Sequence, residues 1–268
     1  MSRRLAPFAA TLVALIILAA CAGGQTLTDP KEIITQGLAA TADLSSLHLN
    51  ATVSGSFTDS TSGAEISLDG TKASGDFATS GQGHFSFEVP TFLGLAGEVI
   101  VLGSDAYVKT TLTGEKWAHQ PIPVPSPGAS GAGSSGASAS GSLDPKAMAL
   151  AEIGKLLAKD GVVSKKLEDV DCGDVKCYHV QVIIPKALLA ENTGHADLNP
   201  SEILGDDVTL DLLFNRDKLW LTEVSTKVTA TSGSITAKVT FSKFNEPVTV
   251  SPPPSDQVTE GGLNFPGL

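Results

Sequence analysis

The chain has 268 residues, with 18 basic and 29 acidic side chains and a formal charge of −11. Nucleic acids and anionic headgroups are both bound by cationic patches, so an acidic chain is a poor match for either. The hydrophobic fraction of 41% is ordinary and aromatics are sparse at 5%, and the length suits one large domain or two small ones.

Arg3 and Arg4 open a segment that is almost wholly apolar from Leu5 to Leu18, and small Ala19 and Ala20 precede Cys21. That order is a secretory signal, and a cysteine at the cut makes it a bacterial lipoprotein signal. Residues 1–20 are then a signal peptide, and the Cys21 thiol becomes a diacylglycerol thioether. Palmitate-type chains would hold the protein on a cell membrane, at the extracytoplasmic face. The rival reading is a transmembrane anchor, but residues 5–20 fall short of the roughly 20 needed to span a bilayer. Two or three acyl chains, at about 0.8 kcal/mol per buried methylene, make a durable anchor. Loss of Arg3 and Arg4 leaves 16 basic against 29 acidic side chains.

Residues 21–28 form a lipidated tether whose reach is about 25 Å at most. Asp29-Pro30-Lys31-Glu32 starts a helix, with a capping Asp, Pro at the first helical position and an acid in the first turn. Ile33, Ile34, Leu38 and Ala42 give it an apolar stripe. Alternating segments follow. Leu47, Leu49, Ala51 and Val53 alternate with His48, Asn50, Thr52 and Ser54; Ile66 and Leu68 alternate with polar neighbours; Phe85, Phe87 and Val89 alternate with His84, Ser86 and Glu88. Period two with one apolar face predicts antiparallel strands. Val99 to Leu102 is apolar throughout, as if both faces were covered, and Gly103-Ser104-Asp105 turns it into a hairpin with Ala106 to Lys109.

Residues 121–143 are a low-complexity insert of Pro, Ser, Gly and Ala, read as a disordered loop or linker. Its Gly131-Ala132-Gly133-Ser134-Ser135-Gly136 is a literal G-x-G-x-x-G, but no strand precedes it, so it is a compositional accident. Asp144-Pro145-Lys146 starts a second helix with Met148, Ile153, Leu156 and Leu157 on a stripe. Strands resume at Val162-Val163, Tyr178 to Ile184, Val208 to Phe214, Leu219 to Val228 and Ile235 to Phe241, and a short helix is expected over 185–191. The Pro-rich tail, 251–268, is expected to be disordered.

Cys172 and Cys177 flank Gly173-Asp174, and outside the cytoplasm such a pair suits a cystine clasping a hairpin. So short a loop gives about 2 kcal/mol on the loop-entropy model. The alternative is a redox or metal pair, although Cys-x4-Cys is neither a zinc nor a thioredoxin spacing and only His179 lies nearby.

About ten strands joined by tight turns, with two main helices, outnumber what two helices cover unless the sheet curves. The predicted class is α+β: one strongly curved antiparallel sheet, a half-barrel, with helices over its concave face, in a single domain spanning 29–250.

Five dispersed histidines, 48, 84, 119, 179 and 195, show no metal spacing, and His48, His84 and His179 read as outward strand positions. There is no G-x-S-x-G elbow and no H-E-x-x-H. Asp206-Asp207 falls in a loop. The reading is therefore no enzyme, no cofactor and no metal, with an unrecognised envelope hydrolase as the outlying alternative.

Leu44-Ser45-Ser46-Leu47-His48-Leu49 at the end of the first helix, Glu98 to Lys109 as a central hairpin followed by Trp117, Leu143-Asp144-Pro145 before the second helix, and Phe241 to Val250 as a closing strand share an order and spacing. Together with Cys21 they resemble the LppX/LprA/LprF/LprG family of bacterial lipoproteins, whose fold is similar to that of the LolA lipoprotein carrier. The insert after Trp117, the cysteine pair and the Pro-rich tail depart from that pattern. The resemblance implies a half-barrel whose apolar cavity takes acyl chains of lipids or glycolipids and carries them through the envelope, with an envelope lipid transporter as a further partner. If the more apolar face is the concave one, the lining comes from Phe85, Phe87, Val99, Val101, Val180, Val182, Leu210 and Leu212 of the sheet and Ile34, Leu38, Ile153 and Leu157 of the helices. The competing reading is an envelope scaffold of the same fold in which those residues simply fill a core.

Overall fold

The computed structural model describes residues 26–59, 62–112, 114–122, 145–192 and 205–261. The signal segment, Cys21 and the insert beyond residue 122 lie outside them, as does His195. Two helices and the strands they precede organise the rest.

Helix α1 (Pro30–Ala42) starts where the sequence places it: the Asp29 carboxylate accepts from the backbone amides of Lys31 at 2.8 Å and Glu32 at 3.4 Å. These bonds satisfy two of the four amides that a helix start leaves unpaired. The strands are β1 (Ser46–Thr58), β2 (Glu65–Ser67), β3 (Thr71–Ala78), β4 (Gln82–Val89), β5 (Leu95–Leu102), β6 (Asp105–Thr110) and β7 (Trp117–Pro121). Then come α2 (Pro145–Leu157), β8 (Val163–Lys166), β9 (Val170–Cys172), β10 (Val175–Ile184), α3 (Lys186–Asn192), β11 (Val208–Asn215), β12 (Leu221–Ala230) and β13 (Gly233–Ser242). A 3-10 turn (Ser255–Gln257) leads to β14 (Val258–Glu260).

All fourteen belong to one sheet, ordered β14-β7-β6-β5-β4-β3-β1-β13-β12-β11-β10-β8, with β2 beside β1 and β9 beside β10. Every pairing is antiparallel except β14 on β7. The sheet is large, curved and unclosed, and with the few helices it makes an α+β half-barrel.

Four strands exceed the sequence expectation. β3 escapes because its inner residues are Thr71, Ala73, Gly75 and Phe77, three of them small, so the apolar alternation is faint. β7 and β9 are short. The tail expected to be disordered carries β14, because the open edge of β7 offers unpaired backbone groups: Val258, Thr259 and Glu260 pair with Trp117, Ala118 and His119, and the Thr259 hydroxyl donates to the Trp117 carbonyl at 3.1 Å. In β5 only Ile100 is fully buried, while Val99 and Val101 are half-exposed, so the run is not covered on both faces.

The core lies under α1. Ile33, Ile34 and Leu38 pack with Tyr178, Val180 and Val182 of β10, Leu212 and Phe214 of β11 and Leu221 of β12. Each such side chain contributes about 1.5–3 kcal/mol on burial. Thr41 links the helix to the sheet, its hydroxyl accepting from the buried Leu221 amide at 2.9 Å.

Candidate functional site

Directly paired residues on neighbouring strands point to the same side of a sheet. Phe85 pairs with Val99, and Val99 with Val108; Val101 pairs with Gly83 and Ala106; Phe87 pairs with Gly97. Across the sheet Val180 pairs with Leu212, Val182 with Leu210, and Leu212 with Val224. Leu49 pairs with Gly75 on one side and Phe241 on the other, joining the halves. All eight sheet residues singled out from the sequence therefore lie on one face. The opposite face carries His48, Lys72, Asp76, His84, Glu88, Glu98, Lys109 and Asp211. Alternation survives pairing, because an in-register partner keeps the parity of its neighbour.

The face divides in two. Over β10–β12 it is roofed by α1, and Val180 and Val182 are fully buried, with Leu212 nearly so. Leu210 is partly buried against the same cluster, and Ile34, Leu38 and Leu157 belong to it. Over β3–β6, Phe85, Phe87, Val99 and Val101 remain partly exposed and lie outside that cluster. Here two phenylalanines lie flat on the sheet. A Cβ on Gly75 would fall 2.4 Å from Phe85 Cδ1, and one on Gly97 would fall 2.7 Å from Phe87 Cζ. Rings laid over glycines cover backbone instead of standing into the trough, so an apolar floor stays open above them.

A second apolar surface is the groove between α1 and α2, about 600 Å³, lined by Ile34, Leu38 and Ala42 on one side and Leu150, Gly154 and Leu157 on the other. That is the size of a small-molecule site. Lys31 and Lys155 also line it. Ile153 points elsewhere and is 42% exposed. Among the residues not anticipated from sequence, Leu49, Phe77 and Val108 share the open face; Leu49 carried an alternation signal, and Phe77 was hidden among small neighbours.

The polar face has its own order. Each described histidine meets a carboxylate: His48 with Asp76 at 2.8 Å, His84 with Glu98 at 3.0 Å, His179 with Asp211 at 2.8 Å, and His119 with both Asp105 at 2.8 Å and Glu260 at 2.9 Å. The carboxylates raise the pKa of His119, Glu260 first and Asp105 second, through hydrogen bonds to its two ring nitrogens. Ser74 Oγ lies 3.5 Å from the far nitrogen of His48, which completes a serine–histidine–aspartate line. The Asn50 amide, at 3.2 Å, is closer to that nitrogen. The three groups stand on the paired strands β1 and β3. The His48–Asp76 pair bridges β1 and β3.

Cys172 and Cys177 are disulfide-bonded across the β9–β10 hairpin. Among the described residues no group of three His, Cys, Asp or Glu side chains can hold a metal ion, and no helix is long and apolar enough to cross a membrane.

A curved, unclosed sheet with one apolar face, half roofed by helices, is a half-barrel. LprF from Mycobacterium bovis has this fold: at 16% identity it aligns over 85% of this chain and 99% of its own, with a TM-score of 0.51. LppX from Mycobacterium tuberculosis aligns at 19% identity over 82% of this chain and 97% of its own, with a TM-score of 0.47. No family model matches the chain and no curated protein matches it in sequence.

Proposed function

We propose that the protein is a lipid-anchored envelope lipoprotein that binds acyl chains of lipids or glycolipids on its apolar sheet face and helix groove, and carries them within the cell envelope. The observation that carries this reading is the continuity of one apolar face from a packed, roofed half to an open half. A chain of ~16 carbons in water costs roughly 0.8 kcal/mol per exposed methylene, and the open half together with the groove of about 600 Å³ offers that shielding. In this reading Phe85, Phe87, Val99 and Val101 line the open floor, Ile34, Leu38 and Leu157 belong to the roof, Ile153 is left on its outer side, and Val180, Val182, Leu210 and Leu212 support the closed end. Cys21 supplies the anchor, and an envelope lipid transporter is the expected exchange partner. No chemistry in this reading calls for a cofactor or a catalytic group.

The second reading is a scaffold lipoprotein with a filled core. The burial of Val180, Val182, Leu212 and Phe214 against Ile33 favours it for the roofed half. Native mass spectrometry before and after organic extraction separates the two. Extra mass that leaves with solvent and fragments as an acyl lipid supports the carrier. A bare chain that also takes up neither fluorescent fatty acid nor phospholipid supports the scaffold.

A further inference from the structure

The turn between β4 and β5 exposes what a soluble protein ordinarily hides. Phe92 is 66% and Leu93 91% exposed, and Leu112, in the neighbouring β6–β7 connection, is 48% exposed. Leu93 holds a left-handed backbone, φ 53°, which a side chain with a Cβ seldom adopts. Strain and exposure coincide at this residue.

The turn is braced rather than loose. Backbone bonds run from Phe92 N to the Val89 carbonyl at 3.1 Å, from Gly94 N to Pro90 at 2.9 Å and from Leu95 N to Phe92 at 2.8 Å. The Thr111 hydroxyl accepts from Ala96 N at 3.1 Å and donates to the Gly94 carbonyl at 3.4 Å, locking Leu112's strand end beside the turn. On the other flank the Thr91 hydroxyl donates to the Ser67 carbonyl. Residues 89–97 carry no charge. The flanking acids are already paired, Glu88 with Lys72 and Glu98 with His84, both at 3.0 Å. Val89 and Leu95, at the base of the turn, share the face of Phe87 and Val99. The tip therefore sits at the mouth of the open apolar floor.

We propose that this turn dips into the surface of a zwitterionic lipid bilayer, setting the mouth of the apolar floor against the acyl layer. Residues 89–97 are uncharged and insert without dehydrating an ion, and the neighbouring connection adds one exposed acid and one exposed lysine, Glu115 and Lys116, so no net positive charge draws the tip to anionic headgroups. The purpose of the contact rests on the acyl-binding reading; the contact itself does not.

The test is Phe92→Trp in the full chain, mixed with phosphatidylcholine vesicles whose acyl chains carry bromine, with the parent chain and its Trp117 and Trp220 as background. The expected result is a blue-shifted added emission quenched several-fold more than the parent's. Adding Leu93→Asp should abolish that quenching while the unfolding midpoint stays put, since Leu93 contacts solvent. An added tryptophan that emits as in water, with parental quenching, overturns the bilayer contact and assigns the turn to a protein surface. Uptake of a soluble fluorescent fatty acid, measured without vesicles, reports the acyl-binding reading separately; its failure leaves the quenching result to decide the tip.

Discussion

Gly37 of α1 lies directly on the ring of Phe214 in β11: a Cβ at Gly37 would stand 2.3 Å from Phe214 Cδ1 and 3.1 Å from the Leu219 carbonyl. The absence of one methyl group lets the helix descend onto the sheet, and Phe214 is wholly buried beneath it. This contact sets the height of the roof over the packed half.

Gly37→Ala is therefore expected to destabilise the fold although alanine is the better helix former. Overpacking of this kind costs typically 1–3 kcal/mol, against about 1 kcal/mol gained in helix propensity. Urea unfolding should show a lower midpoint; a higher one would mean that the helix is not pressed on Phe214.

Val99→Trp and Val182→Trp should behave differently. Val99 faces the open floor between Phe85 and Val108, so tryptophan there should occupy the trough and cut fatty-acid uptake at least tenfold with an unchanged unfolding midpoint. Val182 is fully buried, so the same change should lose about 1–3 kcal/mol of stability. A loss of stability in Val99→Trp with no effect on uptake would point to the filled-core scaffold.

Gly154→Leu addresses the helix groove. Among the described residues a Cβ at Gly154 meets Leu38 Cδ1 at 3.8 Å, an ordinary contact, so the larger side chain has space and should fill the groove without unfolding the protein. Reduced uptake would place acyl chains between the helices. Uptake unchanged here but lost in Val99→Trp would confine them to the sheet.

His119 should make the β14 attachment pH-dependent. Glu260 of β14 and Asp105 of β6 raise its pKa above the ordinary 6.5, and Tyr107 stacks on the ring at 4.9 Å. A raised folded pKa means that the stabilisation is complete below about 6.5 and is lost as pH rises through the folded value. Amide exchange at Thr259 and Glu260, corrected for intrinsic rates, should be most protected in mild acid and less so above neutrality. In His119→Gln that dependence should vanish; its persistence would assign it to another group.

Replacing Cys172 and Cys177 together by alanine should lower stability by about 2 kcal/mol, the loop-entropy value for so short a ring, and leave acyl uptake intact because the hairpin lies at the sheet margin. Reduction of the parent chain should reproduce the shift. A much larger loss would show that buried Cys177 matters more for packing than for the bond.

Much of this architecture could be read along the chain. Asp29-Pro30 begins α1 through contacts spanning three residues, and the period-two runs that contain Phe85, Phe87, Val180 and Val182 already place their side chains on one side. What escaped was carried by small residues or by edges. β3 shows one large apolar side chain among small ones, because its role is to lie beneath Phe85 at Gly75. β14 exists because β7 has a free edge, a fact about the assembled sheet rather than about Val258 to Glu260 themselves.

The chain by itself determined the local terms: helix caps, the alternation that separates an apolar from a polar face, the hairpin turns, and the proximity of Cys172 to Cys177. These depend on steric and hydrogen-bonding preferences that act over a few residues. Only the tertiary structure decided which half of that face is roofed, why Val182 is buried while Val99 stays half-open, and that Phe92 and Leu93 project beside Leu112. The first two depend on where α1 settles across strands that lie well over a hundred residues away in sequence, as Leu221 does from Thr41, and the third on the bonds that Thr111 makes to Gly94 and Ala96. Burial is a property of that assembled surface, and residues with identical local patterns can fall on either side of it.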